Sequence, residues 1–180
     1  MIEVEVKIEV KDFSEIEELL RRENFDKVGD WIFEDNYVFD YEDLKLKNEG
    51  KLLRVRKAGN EIIITYKRKI EDSIVKYKVR EEKEVQVDDF NSIIEIFEGI
   101  GFKVFFRYQK YRKIYSKDNY HICLDRTPVG NFIEIEGDEN FIKFYASKLG
   151  FKEDNFLKRT YYEIFLERRR EGENFMIFNK

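Results

Sequence analysis

The chain has 180 residues with a formal net charge of −4, and it contains no apolar run near the roughly 20 residues of a membrane-spanning helix. Its single cysteine excludes an internal disulfide, and the acidic balance argues against a nucleic-acid partner. Charged residues reach 40%, and Cys, Met and Gln are scarce, which is typical of heat-adapted proteins. We therefore expect a cytoplasmic protein from a thermophile, with one domain over residues 1–180 and no membrane partner.

Alternating apolar and polar residues predict β-strands over most of the chain, separated by a few amphipathic helices. The predicted strands cover residues 2–10, 27–40 (as one strand or a pair), 51–57, 61–69, 74–87, 102–116, 119–126 and 131–137. The predicted helices cover 14–24 with Ser14 as N-cap, a segment from Asp88 or Asp89 to Gly99 or Gly101, 139–149 and 159–170. Gly59 and Asn60 mark a hairpin turn, and residues 171–180 are expected to form a loosely ordered tail. Because most strands follow one another directly, the sheet should be mostly antiparallel.

Nearly every predicted strand has one apolar face and one charged face, because residues two apart in a strand share a face. In the first strand the charged face carries Glu3, Glu5 and Lys7. The other charged faces carry Arg54 and Arg56, Lys67, the series Lys76, Lys78, Arg80, Glu82, Glu84 and Gln86, the pair Lys110 and Arg112, and the pair Glu134 and Glu136. One such strand is ordinarily half-solvated. Repetition along the chain favours a curved or closed sheet whose charged faces line its interior, with helices covering the apolar outside.

A charged interior indicates a charged ligand. Isolated buried ions cost several kcal/mol each, so they need opposite charges, water or a ligand. Arginine offers phosphate oxygens a bidentate fork, and Mg²⁺ takes carboxylate and phosphate oxygens together. The mixture of bases and acids therefore predicts a polyanion held by Lys and Arg, with divalent cations held by carboxylates.

An ordered set of short motifs carries the same charges. They are Glu3-Val4-Glu5-Val6-Lys7, Leu53-Arg54-Val55-Arg56, Ile64-Thr65-Tyr66-Lys67, Arg80-Glu81-Glu82-Lys83-Glu84, Lys110-Tyr111-Arg112, Leu124-Asp125 and Gly130-Asn131-Phe132-Ile133-Glu134-Ile135-Glu136. In order and spacing this set resembles the CYTH superfamily, the triphosphate tunnel metalloenzymes, over residues 2 to about 170. That superfamily includes class IV adenylyl cyclases and thiamine triphosphatases.

The resemblance implies an α+β fold, an eight-stranded antiparallel β-barrel tunnel with flanking helices. It implies Mg²⁺ or Mn²⁺ bound by carboxylates, namely Glu3, Glu5, Asp125, Glu134 and Glu136. It implies a triphosphate gripped by cations, namely Lys7, Arg54, Arg56, Lys67, Arg80, Lys110 and Arg112. The residues expected to act in catalysis are Glu3, Glu5, Lys7, Lys67, Lys110 and Arg112. Likeness to class IV cyclases also makes a homodimer plausible.

Three functions fit these residues. The resemblance favours a class IV cyclase, which would convert ATP to cyclic AMP and pyrophosphate; the alternative is a triphosphatase, which would hydrolyse tripolyphosphate or thiamine triphosphate. A non-catalytic polyphosphate or nucleotide binder would need fewer carboxylates, so we place it last. His121 and Cys123 share a strand face with Asp125 but are too few for zinc, so we interpret them as wall residues. Tyr37 and Phe39 are candidates for lining a base pocket.

Overall fold

The computed structural model describes residues 2–70 and 77–179. The strands are β1 (Ile2–Val10), β2 (Asp26–Asp40), β3 (Lys51–Ala58), β4 (Glu61–Lys69), β5 (Lys78–Val87), β6 (Lys103–Lys117), β7 (Tyr120–Thr127) and β8 (Gly130–Glu136). The helices are α1 (Ser14–Arg22), α2 (Lys45–Asn48), α3 (Phe90–Gly99), α4 (Glu139–Lys148) and α5 (Tyr161–Arg168), with a 3₁₀ turn at Glu153–Asn155. The predicted start of the fifth strand, residues 74–76 including Lys76, lies outside the described residues.

The eight strands close into one barrel in the order β1-β5-β4-β3-β2-β6-β7-β8. Every neighbouring pair is antiparallel. The first strand completes the ring, with Glu3 opposite Arg80 of β5 and Glu5 opposite Glu136 of β8. The predicted antiparallel barrel is therefore confirmed, and the segment that could have been two strands is the single strand β2.

The apolar outer faces of β1, β7 and β8 form the main core under α1 and α4. Ile122 and Ile133 on the strands are 0% exposed, as are Leu20 of α1 and Ile142 of α4. Burying each such side chain stabilises the fold by about 1.5–3 kcal/mol. As expected from the alternation, these helices cover the barrel wall from outside and leave its charged face inside.

Two predicted helix starts have different outcomes. Ser14 is the first residue of α1, after an N-cap at Phe13, so its predicted capping role is wrong. The carboxylate of Asp12, which precedes the N-cap residue, accepts the Ser14 N–H at 2.9 Å. Asp89 caps α3 as predicted and accepts the N–H groups of the next turn.

A second core lies across one end of the barrel interior. Phe106 and Phe132 share strand faces with the interior charges, yet both are at most 2% exposed. They pack against Ile164 and Phe165 of α5, which are equally buried. Helix α5 therefore fills this end of the barrel, whereas the charge pattern led us to expect every helix outside.

Residues 171–179 follow the exposed edge of β6. The Met176 N–H donates to the Arg107 carbonyl at 3.0 Å, and the Met176 carbonyl accepts from Gln109 at 2.8 Å. The β7 strand pairs with β6 only from Tyr111 onward, so the first half of β6 leaves an edge to be covered. The segment predicted to be a loose tail is thus anchored, with Met176 only 1% exposed. Within residues 2–70 and 77–179, each helix is too short or too polar to cross a bilayer.

Candidate active site

A cavity of about 840 Å³ occupies the barrel interior. It is lined by all of the predicted site residues except Asp125, namely Glu3, Glu5, Lys7, Arg54, Arg56, Lys67, Arg80, Lys110, Arg112, Glu134 and Glu136. Strand alternation explains this convergence, because each of these residues lies on the inward face of its strand. The closed barrel brings together charges that are far apart in sequence.

Three carboxylates form a compact group on adjacent strands. One oxygen from each of Glu3, Glu5 and Glu136 lies within 4.8 Å of the other two. Burial raises the pKa of Glu136 to about 8; Arg112 opposes the shift, and the charges of Glu134 and Glu5 add to it. Clustered carboxylates repel one another and so fit a divalent cation, which relieves this repulsion and prefers oxygen ligands.

The other two predicted metal ligands, Asp125 and Glu134, lie apart from this group and form ion pairs with lysine and arginine side chains. Asp125 is 0% exposed, and its oxygens accept from Lys110 at 3.0 Å, from Arg112 at 2.7 Å and from the Tyr161 hydroxyl at 2.6 Å. Glu134 pairs with Lys7 at 3.2 Å and also with Arg112. Both carboxylates therefore position the basic groups, and only three of the five predicted metal ligands, Glu3, Glu5 and Glu136, lie together in the compact group.

The cations around the cavity keep hydrogen-bond donors for an anion. Lys67 bonds Glu3 at 2.7 Å and pairs with Glu82 at 3.1 Å, which ties the carboxylate group to the basic wall. Arg80 forms no ion pair with any residue that the structure describes. The buried Nε atoms of Arg54 and Arg56 likewise have no hydrogen-bond partner among residues 2–70 and 77–179. Such donors suit phosphate oxygens.

Glu34 is a site residue that the sequence did not reveal. It is 4% exposed and lies 3.5 Å from Lys110 and 3.8 Å from Arg56. Burial alone would raise its pKa, but Lys110, Arg112 and Arg56 outweigh burial and lower the pKa to about 2. The register shift between Val28 and Ile32 interrupts the alternation of β2, so the inward face was hard to assign from sequence.

Tyr161 was also missed as a site residue. Besides its bond to Asp125, its ring lies 3.9 Å from the Lys7 Nζ and 5.5 Å from the Lys110 Nζ. An aromatic face beside two ammonium groups holds them in place. Only the packing of α5 across the barrel end brings Tyr161 there, and the alternation of the strands carries no signal for it.

Lys78 borders the carboxylate group. Its Nζ lies 3.7 Å from a Glu5 oxygen and donates to the Arg159 carbonyl at 3.1 Å. Burial, reinforced by the charge of Lys7, lowers the pKa of Lys78 to about 8. The sequence placed Lys78 on a charged face without assigning it a role, and its depressed pKa makes it a candidate proton acceptor.

We expect Glu34→Gln to lower the free energy of unfolding at neutral pH by about 3 kcal/mol, because Lys110 and Arg56 lose a buried counter-charge. A depressed carboxyl pKa stabilises the fold above the unfolded value of 4.5, and that stability is lost as pH falls through about 2. The difference from wild type in denaturant titrations should therefore shrink in acid. The exposed Glu61→Gln serves as control, and equal losses in the two variants would contradict the prediction.

The remaining predictions about wall residues concern four side chains. His121 and Cys123 both line the cavity, and the Cys123 Sγ lies 3.9 Å from a Glu136 oxygen. Tyr37 instead packs on the outer wall, with its ring centroid 4.9 Å from that of Phe90. The ring of Phe39 packs edge-on against Phe97 of α3. Phe39 is nevertheless part of the cavity lining, although it is only 1% exposed, whereas Tyr37 does not line the cavity.

Comparison with known proteins agrees with this geometry. Residues 1–161 match the model of the CYTH domain. The chain belongs to the CYTH family. Membership makes it a candidate enzyme of the cyclase and triphosphatase class, because the CYTH fold binds triphosphates and its tunnel metalloenzymes use divalent metals.

Three known proteins resemble this chain in sequence or in fold. A candidate adenylate cyclase of Methanocaldococcus jannaschii is 29% identical over 176 residues, covering 91% of this chain and 98% of the relative. A Pyrococcus horikoshii protein superposes with a TM-score of 0.78 at 29% identity, covering 90% and 98% of the two chains. A Hippeastrum candidate adenylyl cyclase, described as having dominant triphosphatase activity, gives a TM-score of 0.62 at 14% identity over 95% and 97% of the chains. At that identity the Hippeastrum protein shares the fold alone.

Proposed function

We propose that this CYTH protein is a divalent-metal-dependent enzyme that converts ATP to cyclic AMP and pyrophosphate. One observation carries the proposal: three carboxylates within 4.8 Å of one another share a single cavity with a wall of lysines and arginines. Reactions at phosphorus depend mainly on positioning and on neutralising charge, so no nucleophilic side chain is required. The curated relative from Methanocaldococcus jannaschii points in the same direction.

The carboxylates and the basic side chains have different roles in this proposal. Glu3, Glu5 and Glu136 would hold Mg²⁺ or Mn²⁺, which neutralises charge on the phosphates when bound. Arg54, Arg56, Lys67, Arg80, Lys110 and Arg112 would donate to the phosphate oxygens. Because Asp125, Glu134 and Glu34 already fix several of these cations, the donors are preorganised and need little rearrangement.

The proposed reaction balances without another reactant. The ribose 3′-oxygen forms a bond to the α-phosphorus, and the bond from that phosphorus to the α,β-bridging oxygen breaks. Pyrophosphate leaves with the electron pair, and the hydroxyl proton passes to the neutral amine of Lys78. Because the pKa of Lys78 is lowered to about 8, a usable share of this amine is neutral near physiological pH.

Triphosphate hydrolysis is the second candidate function. Water would attack the terminal phosphorus in the same cavity, and orthophosphate would leave. The triphosphatase activity described for the Hippeastrum protein is the observation that favours this candidate. Both reactions need the same carboxylates and cations, so the two candidates differ only in what surrounds the phosphates.

Product analysis decides between them. We expect ATP with Mg²⁺ or Mn²⁺ to yield cyclic AMP and pyrophosphate in equal amounts, and EDTA to stop the reaction. The panel should include GTP, thiamine triphosphate and tripolyphosphate, each with chromatographic identification of products. Hydrolysis of tripolyphosphate with no cyclic AMP from ATP would make the cyclase proposal wrong. Metal-independent binding without turnover of any compound would instead indicate a binding protein.

A further inference from the structure

Two aromatic rings in the cavity wall have no part in the charged machinery. The ring centroids of Phe105 on β6 and Tyr162 on α5 lie 4.7 Å apart, and both residues line the cavity. Each ring is partly buried and so keeps an accessible portion. The Lys47 Nζ of α2 lies 5.0 Å from the Tyr162 ring and 5.7 Å from the Phe105 ring. We call the pair Phe105 and Tyr162 the aromatic shelf.

A β-bulge directs Phe105 toward this position. On β6, Phe106 pairs with Val38 and Val104 pairs with Phe39, so Phe105 is the extra, unpaired residue. Regular alternation would point Phe105 away from the face that Phe106 occupies. Bulges reorient side chains and are common beside active sites. In this barrel the bulge brings both phenylalanines close to Tyr162, with ring centroids 4.7 and 5.1 Å from it.

The size and lining of the cavity exceed what three phosphates require. At about 840 Å³ it falls within the roughly 300–1,000 Å³ that is typical of sites for drug-sized organic ligands. Leu52 and Phe106 extend the apolar lining beside the aromatic shelf. An inorganic triphosphate has no apolar surface to bury against these residues, whereas an aromatic ring system does.

We propose that the aromatic shelf binds the nucleobase of a nucleoside triphosphate by stacking. This inference rests on the proposed function, because it assigns the organic part of the substrate to the same cavity. Base stacking on aromatic side chains tolerates any base and contributes substantially to affinity. The ammonium group of Lys47 beside both rings disfavours a cationic thiazolium, so the shelf selects a neutral base over thiamine.

The test compares two ligands that differ only in having a nucleoside. Phe105→Leu and Tyr162→Leu are titrated by calorimetry with ATP and with tripolyphosphate, in EDTA to prevent turnover. We expect the Kd for ATP to rise about tenfold to a hundredfold in each variant, with the Kd for tripolyphosphate within twofold of wild type. Unchanged tripolyphosphate binding also shows that the variant is folded.

Tyr111→Leu is the matched control, because Tyr111 is an exposed aromatic residue of the same strand that packs against Phe33 outside the cavity. It should leave both dissociation constants unchanged. Equal weakening of both ligands in the shelf variants, or no weakening of either, would overturn the shelf. Tighter binding of thiamine triphosphate than of ATP to wild type would overturn the choice of a neutral base. Wild-type protein that bound neither ATP nor tripolyphosphate, with or without Mg²⁺, would overturn the proposed function itself.

Discussion

Glu5→Gln is expected to lower metal-dependent turnover at least about 1,000-fold while the protein stays folded. The change removes one of three clustered carboxylates and leaves the volume of the side chain unchanged. A cation bound by fewer charges neutralises the phosphates less well, and that neutralisation is worth several kcal/mol of barrier. Because Glu5 also repels Glu3 and Glu136, the melting temperature of the metal-free variant should equal or exceed that of wild type.

The matched control for Glu5→Gln is Glu9→Gln. Glu9 lies on the same strand with the same alternation, yet it pairs outside the cavity with Arg168 at 2.6 and 2.8 Å. Its loss should cost no more than about 1 kcal/mol of stability and leave turnover unchanged. Steady-state rates over a range of Mg²⁺ concentrations provide the measurement. Wild-type turnover in Glu5→Gln would remove the carboxylate group from the mechanism.

Raising the pH from about 6 to about 9 is expected to destabilise the metal-free protein through Glu136. The folded pKa of this carboxyl is raised from 4.5 to about 8, so the folded state holds a proton that the unfolded state has lost. A raised pKa stabilises the fold at low pH, and that stability disappears as pH rises through about 8. The loss between pH 6 and about 8 amounts to roughly 3 kcal/mol, because each pKa unit corresponds to about 1.4 kcal/mol.

Denaturant titrations of wild type and Glu136→Gln across this pH range measure the effect. The variant resembles the protonated acid, so its stability should match that of wild type below about pH 4.5 and exceed it by a growing margin as pH rises to about 8. Lys78, whose pKa is lowered, contributes with the opposite sign above about pH 8, and the difference between the two proteins largely cancels it. Mg²⁺ should restore wild-type stability at high pH and affect Glu136→Gln less. Parallel pH profiles for the two proteins would contradict the raised pKa.

The pattern of residues along the strands determined much of this molecule. A period of two places Glu3, Glu5 and Lys7 on one face of β1, and the same period aligns Lys110 with Arg112. Repetition of charged faces indicated a closed sheet before any strand pairing was known. The hairpin at Gly59 followed equally directly, because the glycine has a positive φ of 59° between β3 and β4.

Only the tertiary structure decided which acidic side chain pairs with which basic side chain. Periodicity assigns a residue to a face, but it does not say which acid meets which base across the barrel. Asp125 and Glu134 therefore looked equivalent to Glu136, although closure of the sheet surrounds the first two with Lys7, Lys110 and Arg112. Those pairings depend on contacts between strands that are distant in sequence.

Periodicity also failed to identify three residues of the cavity region, Glu34, Phe105 and Tyr161. Irregular register in β2 concealed the inward direction of Glu34, and the bulge in β6 redirected Phe105. Tyr161 reached the cavity because α5 packs into the barrel end, which no local pattern encodes. The sequence by itself thus determined the barrel and its charged interior, since both follow from local periodicity. The tertiary structure decided which charges remain available for metal and substrate, since that depends on long-range packing.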